Sequence, residues 1–418
     1  MSTPPAANIP GLQRRLGVSD AVFVGLGAMI GAGIFAAFGP AADAAGSGLL
    51  VGLAVAAVVA YCNATSSARL AARYPASGGT YVYGRERLGD FWGYLAGWGF
   101  VVGKTASCAA MALTAGAYAW PGHERPVAIA AVIALTAVNY VGVQKTVWLT
   151  RALVAVVLAV LAAVVVASLT SGQTDATRLE LSGDASVGGI LQAAGLLFFA
   201  FAGYARIATL GEEVRDPWRT IPRAIPLALG ITLVVYAAVA TAALAVLGPG
   251  ALADATAPLA DTVRADGVPA LVPVVRIGAT VAALGSLLAL ILGISRTTLA
   301  IARDRHLPHA LAAVHPRFHV PHRAQLAVGA AVLGLVAFAD LRGAIGFSSF
   351  GVLAYYAVAN ASAWTLTPGE GRPPRAIPVL GLTGCLLLAF SLPLSSTVAG
   401  AAVLAAGAVV YCVRRRVT

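Results

Sequence analysis

Apolar residues along the chain fall into long uninterrupted runs separated by short polar connectors. A bilayer core of about 30 Å requires roughly 20 apolar helical residues. That ruler marks twelve spans, about 18–41, 46–70, 91–120, 126–143, 146–170, 187–210, 222–248, 269–301, 323–339, 343–366, 376–393 and 395–413. The last two are short and share a turn around Pro393. Ten-residue alternating segments, the mark of a β-barrel, are not evident, so every span is read as a helix. The first run follows Arg14 and Arg15 and is too long for a signal-peptide core, so it is expected to be a retained first helix. No soluble domain is expected beside these spans.

Two spans carry interruptions. The first reads GVSDAVFVGLGAMIGAGIFAAFGP, with Gly25, Gly27, Gly31 and Gly33 close together at mid-membrane. The sixth reads LLFFAFAGYARIATLGEE, with Gly203 among aromatic residues. Glycine costs about 1 kcal/mol relative to alanine inside a helix. A cluster therefore marks a place where a helix can unwind. Gly27 and Gly31 also form a GxxxG, so close helix packing is the competing explanation. Unwound backbone at membrane depth survives only if buried in protein or lining a cavity. Freed N–H groups at a half-helix start attract a carboxylate, and freed carbonyls attract an ammonium. A zwitterionic amino acid satisfies both. Breaks in corresponding positions of two halves point to inverted repeats. Repeat one is about 18–170, repeat two about 187–366, and helices 11 and 12, about 376–413, are added to a single domain spanning 1–413.

Composition agrees with the pattern: the chain has 418 residues, 59% hydrophobic and 11% charged. A soluble chain is about 25% charged. The net charge of +11 suggests nucleic acid at first sight. The cations, however, sit in small clusters between apolar runs, so a nucleic-acid partner is not expected. With the N-terminus in the cytoplasm, 21 Lys and Arg fall on the cytoplasmic side and five outside. This places both tails, 1–15 and 414–418, in the cytoplasm of a cell-membrane protein. The basic side also favours anionic lipid headgroups. The connector 302–323 holds five of the six histidines. It reads as a solvated or headgroup-facing loop, with metal binding or pH sensing as the alternative. Cys62, Cys108, Cys385 and Cys412 sit in apolar runs without C-x-x-C spacing, so neither a disulfide framework nor a metal site is expected.

Four segments resemble one family. GAMIGAGIF at 27–35 is similar to the first-helix motif of the amino acid–polyamine–organocation family. FFAFAGYARIATLGEEVRDPWRTIPRAI at 198–225 resembles its sixth helix and following loop, closest to the cationic amino acid transporter-like branch. YPASGGTYVYGRERLG at 74–89 and LAIARDRHLPHALAAVHPRF at 299–318 resemble its segments before helix three and after helix eight. The resemblance implies an all-α integral membrane protein of the LeuT-type fold, with a 5+5 inverted repeat and discontinuous helices 1 and 6, twelve helices in all. It implies a secondary amino acid transporter working by alternating access, with no cofactor. The N–H groups of Gly31, Ala32 and Gly33 would hold the substrate carboxylate. Carbonyls near Met29, Phe199, Ala200 and Ala202 would hold its amine, and Phe201 or Tyr204 would act as an aromatic lid.

The chain departs from the family in its charges. Proton-coupled relatives often carry a helix-five lysine, where this chain has Val157. Lys104 instead lies near mid-membrane on helix three. Three roles are open to it: proton carrier, fixed charge sensing the substrate, or structural cation. Arg206 poses the same choice, and the acid that the cationic branch often carries one position earlier is Ala205 here. Two buried cations and no intramembrane carboxylate favour a neutral or acidic amino acid over a cationic one. Glu212 and Glu213, among Arg215, Arg219 and Arg223, read as a cytoplasmic gate or salt-bridge network. Proton-coupled uptake of a neutral amino acid is the expectation, with an ion-independent amino acid or polyamine exchanger or facilitator as the alternative. A membrane-embedded enzyme would require clustered acids or a nucleophile–base pair within the spans, and neither is expected.

Overall fold

A computed structural model describes residues 16–75, 78–142, 147–181, 183, 185–210 and 213–417. Among these the chain is all-helical, with one isolated bridge, Leu16 to Val214, in place of any strand. The order is α1 (Val18–Met29), α2 (Ala32–Ala36), α3 (Phe38–Ala45), α4 (Leu49–Arg73), α5 (Thr80–Leu88), α6 (Asp90–Ala119), α7 (Glu124–Tyr140), α8 (Val147–Thr170), α9 (Val187–Phe201), α10 (Ala205–Ala208), α11 (Pro217–Asp254), α12 (Pro258–Ala265), α13 (Val272–Arg303), α14 (His322–Phe338), α15 (Leu341–Trp364), α16 (Ala376–Ser391) and α17 (Leu394–Val417).

Each of the twelve expected spans falls on a helix or a broken helix. Nine helical stretches among the described residues are long and apolar enough to cross a bilayer. The spans expected at 126–143, 323–339 and 376–393 fall on shorter helices, α7 and α14 with 17 residues each and α16 with 16. Two short helices, α5 and α12, were not foreseen. Their hydrophobic runs are too brief to register against a membrane-length ruler.

The core is built around α6 and α15, the most buried long helices. Small residues let them approach: a Cβ added at Gly351 would lie 2.9 Å from the Gly103 Cα. α6 also packs broadly on α13, and α4 on α9 and α11. The outermost helix, α17, is mostly exposed, as expected of a helix facing lipid. Five tryptophans, Trp92, Trp120, Trp148, Trp218 and Trp364, are exposed at or near helix ends, where interfacial headgroups favour them. Asn63, Ser66 and Asn360 form a buried polar bridge between α4 and α15. Ser66 donates to the Asn360 Oδ1 at 2.7 Å, and the Asn360 amide donates to the Asn63 Oδ1 at 2.6 Å.

Candidate functional site

The interruption expected in the first helix is present, and at the expected place the sixth changes only from α to 3₁₀ geometry, its backbone remaining right-handed. The first helix stops at Met29 and restarts at Ala32, with Ile30 (φ −81, ψ 52) and Gly31 (φ −108, ψ −139) outside helical geometry. The sixth tightens after Phe201 into a 3₁₀ turn at Ala202–Tyr204 before the short α10. The two breaks touch. A Cβ on Gly203 would lie 2.4 Å from the Ala28 carbonyl carbon, and one on Gly33 would lie 2.6 Å from the Ala200 Cα. Glycine at 33 and 203 is thus demanded by close backbone approach.

A cavity of about 360 Å³ begins at these breaks. Its inner wall includes Ile30, Phe100, Lys104, Phe199, Ala202 and Ser286. It runs toward the end of the bundle that carries Leu16, Gly78, Glu213 and Arg296. The opposite end is tied shut. There the Tyr118 hydroxyl donates to the Phe35 carbonyl at 2.9 Å and accepts from the Leu259 N–H at 3.2 Å. Arg342 pairs with Asp43 at 2.8 Å and also donates to the Ala253 carbonyl.

Lys104 is 6% exposed, and its ammonium donates to the Ala202 carbonyl at 3.4 Å. The cation expected on helix three therefore sits on a carbonyl expected to receive an amine. Two further carbonyls of that set, Met29 and Ala200, are taken by the Tyr236 hydroxyl at 2.6 and 3.0 Å. Tyr236, on α11, thus clasps both breaks at once. Nothing in the sequence around it singles it out, because its role comes from tertiary contact. Ser286 on α13 is a second such residue: its hydroxyl donates to the Gly27 carbonyl at 3.2 Å.

The aromatic residues divide differently from the expectation. Phe199 and Phe100 line the cavity, whereas Phe201 and Tyr204 are not on its wall. Phe201 packs on Tyr236 at 5.1 Å between ring centroids, and Tyr204 stacks on Tyr356 at 5.0 Å. Gly31, Ala32 and Gly33 lie at the start of α2, all buried, just behind the cavity wall. Val157 lines the wall beside Val154. Arg206 lines it one turn beyond Ala202 and donates to the Thr209 hydroxyl at 3.4 Å.

Glu212 lies outside the described residues. Glu213 has no ion pair among them. Its carbonyl accepts from the Leu16 N–H at 3.1 Å, and the Leu16 carbonyl accepts from the Arg215 N–H at 2.8 Å. The backbone, not the Glu213 side chain, joins the loop after the sixth helix to the segment before the first. The side-chain network at this end runs instead through Glu370, which meets Arg73 at 3.4 Å and also Arg87, and through Asp304, which meets Arg85 at 2.9 Å and the Tyr81 hydroxyl at 2.5 Å. Among the described residues no group of three or more His, Cys, Asp or Glu could hold a metal ion.

The amino acid permease family profile matches residues 16–411. An uncharacterized transporter of Mycobacterium tuberculosis (strain ATCC 25618 / H37Rv) is 74% identical over 407 residues, covering 97% of this chain and 92% of that protein. The branched-chain amino acid permease BcaP of Bacillus subtilis (strain 168) is 26% identical, covering 91% of this chain and 88% of its own. Human cationic amino acid transporter 4 is 29% identical, covering 87% of this chain and 61% of its own. A permease profile over nearly the whole chain, on a many-helix apolar fold, makes this a multi-pass membrane transporter with amino acids as its substrate class, not an enzyme. The chain belongs to the amino acid permease family of the amino acid–polyamine–organocation superfamily.

Proposed function

We propose that this transporter takes up an amino acid without net positive charge, neutral amino acids among them, by proton-coupled alternating access across the cytoplasmic membrane. In this reading the twelve helical segments are twelve crossings of one domain. Residues 18–170 and 187–366 are LeuT-type inverted repeats, 376–413 the added pair, and both tails cytoplasmic. The Leu16 end is then the cytoplasmic end, and the cavity faces inward.

One observation carries the reading: a single cavity meets both helix breaks, with the Lys104 ammonium on the Ala202 carbonyl at its inner end. The substrate carboxylate is assigned to the N–H groups of Gly31, Ala32 and Gly33. Its amine is assigned to the carbonyls of Met29, Phe199, Ala200 and Ala202, and it displaces Tyr236 and Lys104 from three of them. Phe199 and Phe100 act as the lid, with Phe201 and Tyr204 as buttresses behind it. Lys104 is the coupling residue. It takes up a proton while the site faces outward and gives it up, along with the substrate, to the inward-facing cavity, where an unpaired buried cation is costly. The relatives named for branched-chain and for cationic amino acids bracket the substrate class. The buried cation favours the former side.

The test is uptake into proteoliposomes of twenty amino acids and polyamines, with and without an inwardly directed proton gradient (acid outside). The expected result is gradient-driven uptake of a neutral amino acid exceeding that of arginine, with gradient dependence abolished in Lys104→Ala. Faster arginine uptake contradicts the substrate assignment, and retained gradient dependence contradicts the role of Lys104.

A second reading, ion-independent exchange, is favoured by the lining beside the first break. Val154 and Val157 occupy the α8 side, and the Ser286 hydroxyl joins α13 directly to the Gly27 carbonyl. No ionisable group intervenes among these residues. Counterflow that persists after the pH gradient is collapsed, equally in Lys104→Ala, supports this reading over the first.

A further inference from the structure

Several arginines at the ends of this bundle are paired with acids. Arg85 meets Asp304, Arg151 meets Asp20 at 2.6 Å, Arg264 meets Asp261 at 2.6 Å, and Arg342 meets Asp43. Two arginines without such a partner among the described residues line the cavity. Arg206, on α10, has the Thr209 hydroxyl at 3.4 Å as its side-chain partner. Arg296, on α13, has no carboxylate within 4.0 Å among the described residues, and neither has Arg206. Both are half-buried; the charge of Arg206 is attracted by Glu213 and repelled by Arg296. The one described acid on the cavity wall, Glu213, is not within 4.0 Å of either guanidinium and offsets one of the two charges from a distance.

Two like charges and a single acid on a partly dehydrated cavity wall leave a positive excess that an arriving anion offsets. A guanidinium carries a planar fork of donors that matches a carboxylate. The pair is also placed for a substrate group. Arg206 lies four residues beyond Ala202, about 6 Å along a helix axis, close to the distance between the two ends of an acidic amino acid. Acceptors nearer the breaks are already engaged by Tyr236 and Lys104.

We propose that Arg206 and Arg296 form an anion subsite for the substrate's side chain, so that the preferred substrate is an acidic amino acid. This rests on the transport reading above and narrows it. Lys104 keeps the coupling role, and the subsite lies one turn closer to the mouth.

The experiment compares L-glutamate with its near-isostere L-glutamine in phosphatidylcholine proteoliposomes, together with thermal shift of the purified protein by each. The wild-type protein is expected to favour glutamate at least about tenfold in apparent affinity, the size of one charge-assisted pair. The ratio should fall toward one in Arg206→Gln and Arg296→Gln, and recover in part in Arg206→Lys and Arg296→Lys. Equal preference for the two ligands, or stronger glutamine binding, overturns the proposal while leaving amino acid transport intact. So does a glutamate preference that persists in both Gln variants. If neither these two nor any other amino acid is bound or moved, the transport reading falls as well. The wild-type thermal shift requires no variant, so a misfolded mutant does not spare the proposal.

Discussion

At the scale of single residues, Tyr236 does the most joining. Its hydroxyl has one proton and faces two carbonyls, Met29 and Ala200, on opposite breaks. Tyr236→Phe keeps the ring packed on Phe201 and removes only that hydroxyl. A buried carbonyl left unpaired costs about 1–3 kcal/mol. The variant should therefore melt at lower temperature, and a bound amino acid, whose ammonium supplies the missing donors, should restore more stability to it than to the wild type. Thermal shift with and without substrate reads both; equal melting temperatures in the absence of substrate would show that the clasp is not stabilising. The glycines give a second prediction. A Cβ at Gly31 meets the Ser286 Oγ at 2.1 Å and its Cβ at 2.9 Å, whereas a Cβ at Gly33 meets Ala200 backbone. A hydroxyl can be removed and a backbone cannot. Gly31→Ala should be partly rescued by Ser286→Ala, with a coupling of about 0.5–3 kcal/mol, while Gly33→Ala should lose uptake under any neighbouring side-chain change. The glycines were legible in the sequence because backbone conformation is a local property that glycine advertises. Tyr236 and Ser286 were not, because each acts on a carbonyl more than 200 residues away in the chain. Phe201 and Tyr204 were assigned to the lid for the same reason in reverse: a motif names residues near a break but not the side of the helix that faces the cavity.

At the scale of elements, long apolar helices were legible and short connecting ones were not. Membrane-crossing length is a one-dimensional property, whereas α5 and α12 owe their position to what they touch. α5 begins at Gly79, where φ is +57°, and the Thr80 N–H donates to the Tyr355 hydroxyl at 3.0 Å. Tyr355 packs on Phe100, which lines the cavity. The far end of α5 is anchored by Arg87 on Glu370. Hydrogen bonds from Arg87 first, and then from the Thr367 backbone, hold the Glu370 carboxyl down at about 2, against an ordinary value of 4.5. A carboxyl depressed in the folded state contributes stability above its unfolded pKa and loses it as pH falls toward the folded one. The contribution of this contact is therefore present at pH 5 and above, and declines between about pH 4.5 and pH 2. Melting of the detergent-purified protein across that window should be steeper with pH in the wild type than in Glu370→Gln. Matching slopes would mean that the contact is too exposed to matter. The histidine-rich connector shows how the same elements escape composition. His306 packs against Tyr81, Tyr94 and Tyr411 rather than facing solvent, and burial lowers its pKa.

At the scale of the whole molecule, one cysteine can decide which way the cavity faces. Cys62, Cys108 and Cys385 are buried, and Cys412 is exposed on α17. Its neighbour Tyr411 packs against His306 at 5.7 Å and Tyr94 at 5.2 Å, which places Cys412 at the same end of the bundle as Asp304 and Arg85. The cavity runs toward that end, and most of the basic residues were assigned to it. The positive-inside bias predicts that this end is cytoplasmic. A membrane-impermeant maleimide should therefore label Cys412 in inverted vesicles and not in intact cells, and Cys412→Ser should remove the fast label. Labelling of intact cells would reverse the topology and turn the cavity outward. The same vesicles report on the cavity. Cys108 lies one helical turn beyond Lys104 and is fully buried. A slow second label in the Cys412→Ser background, hastened or blocked by the amino acid that is carried, should appear as the buried face of α6 opens during the transport cycle. Topology and alternation are then read from the chain's own thiols, one fixed at the surface and one exposed only by motion.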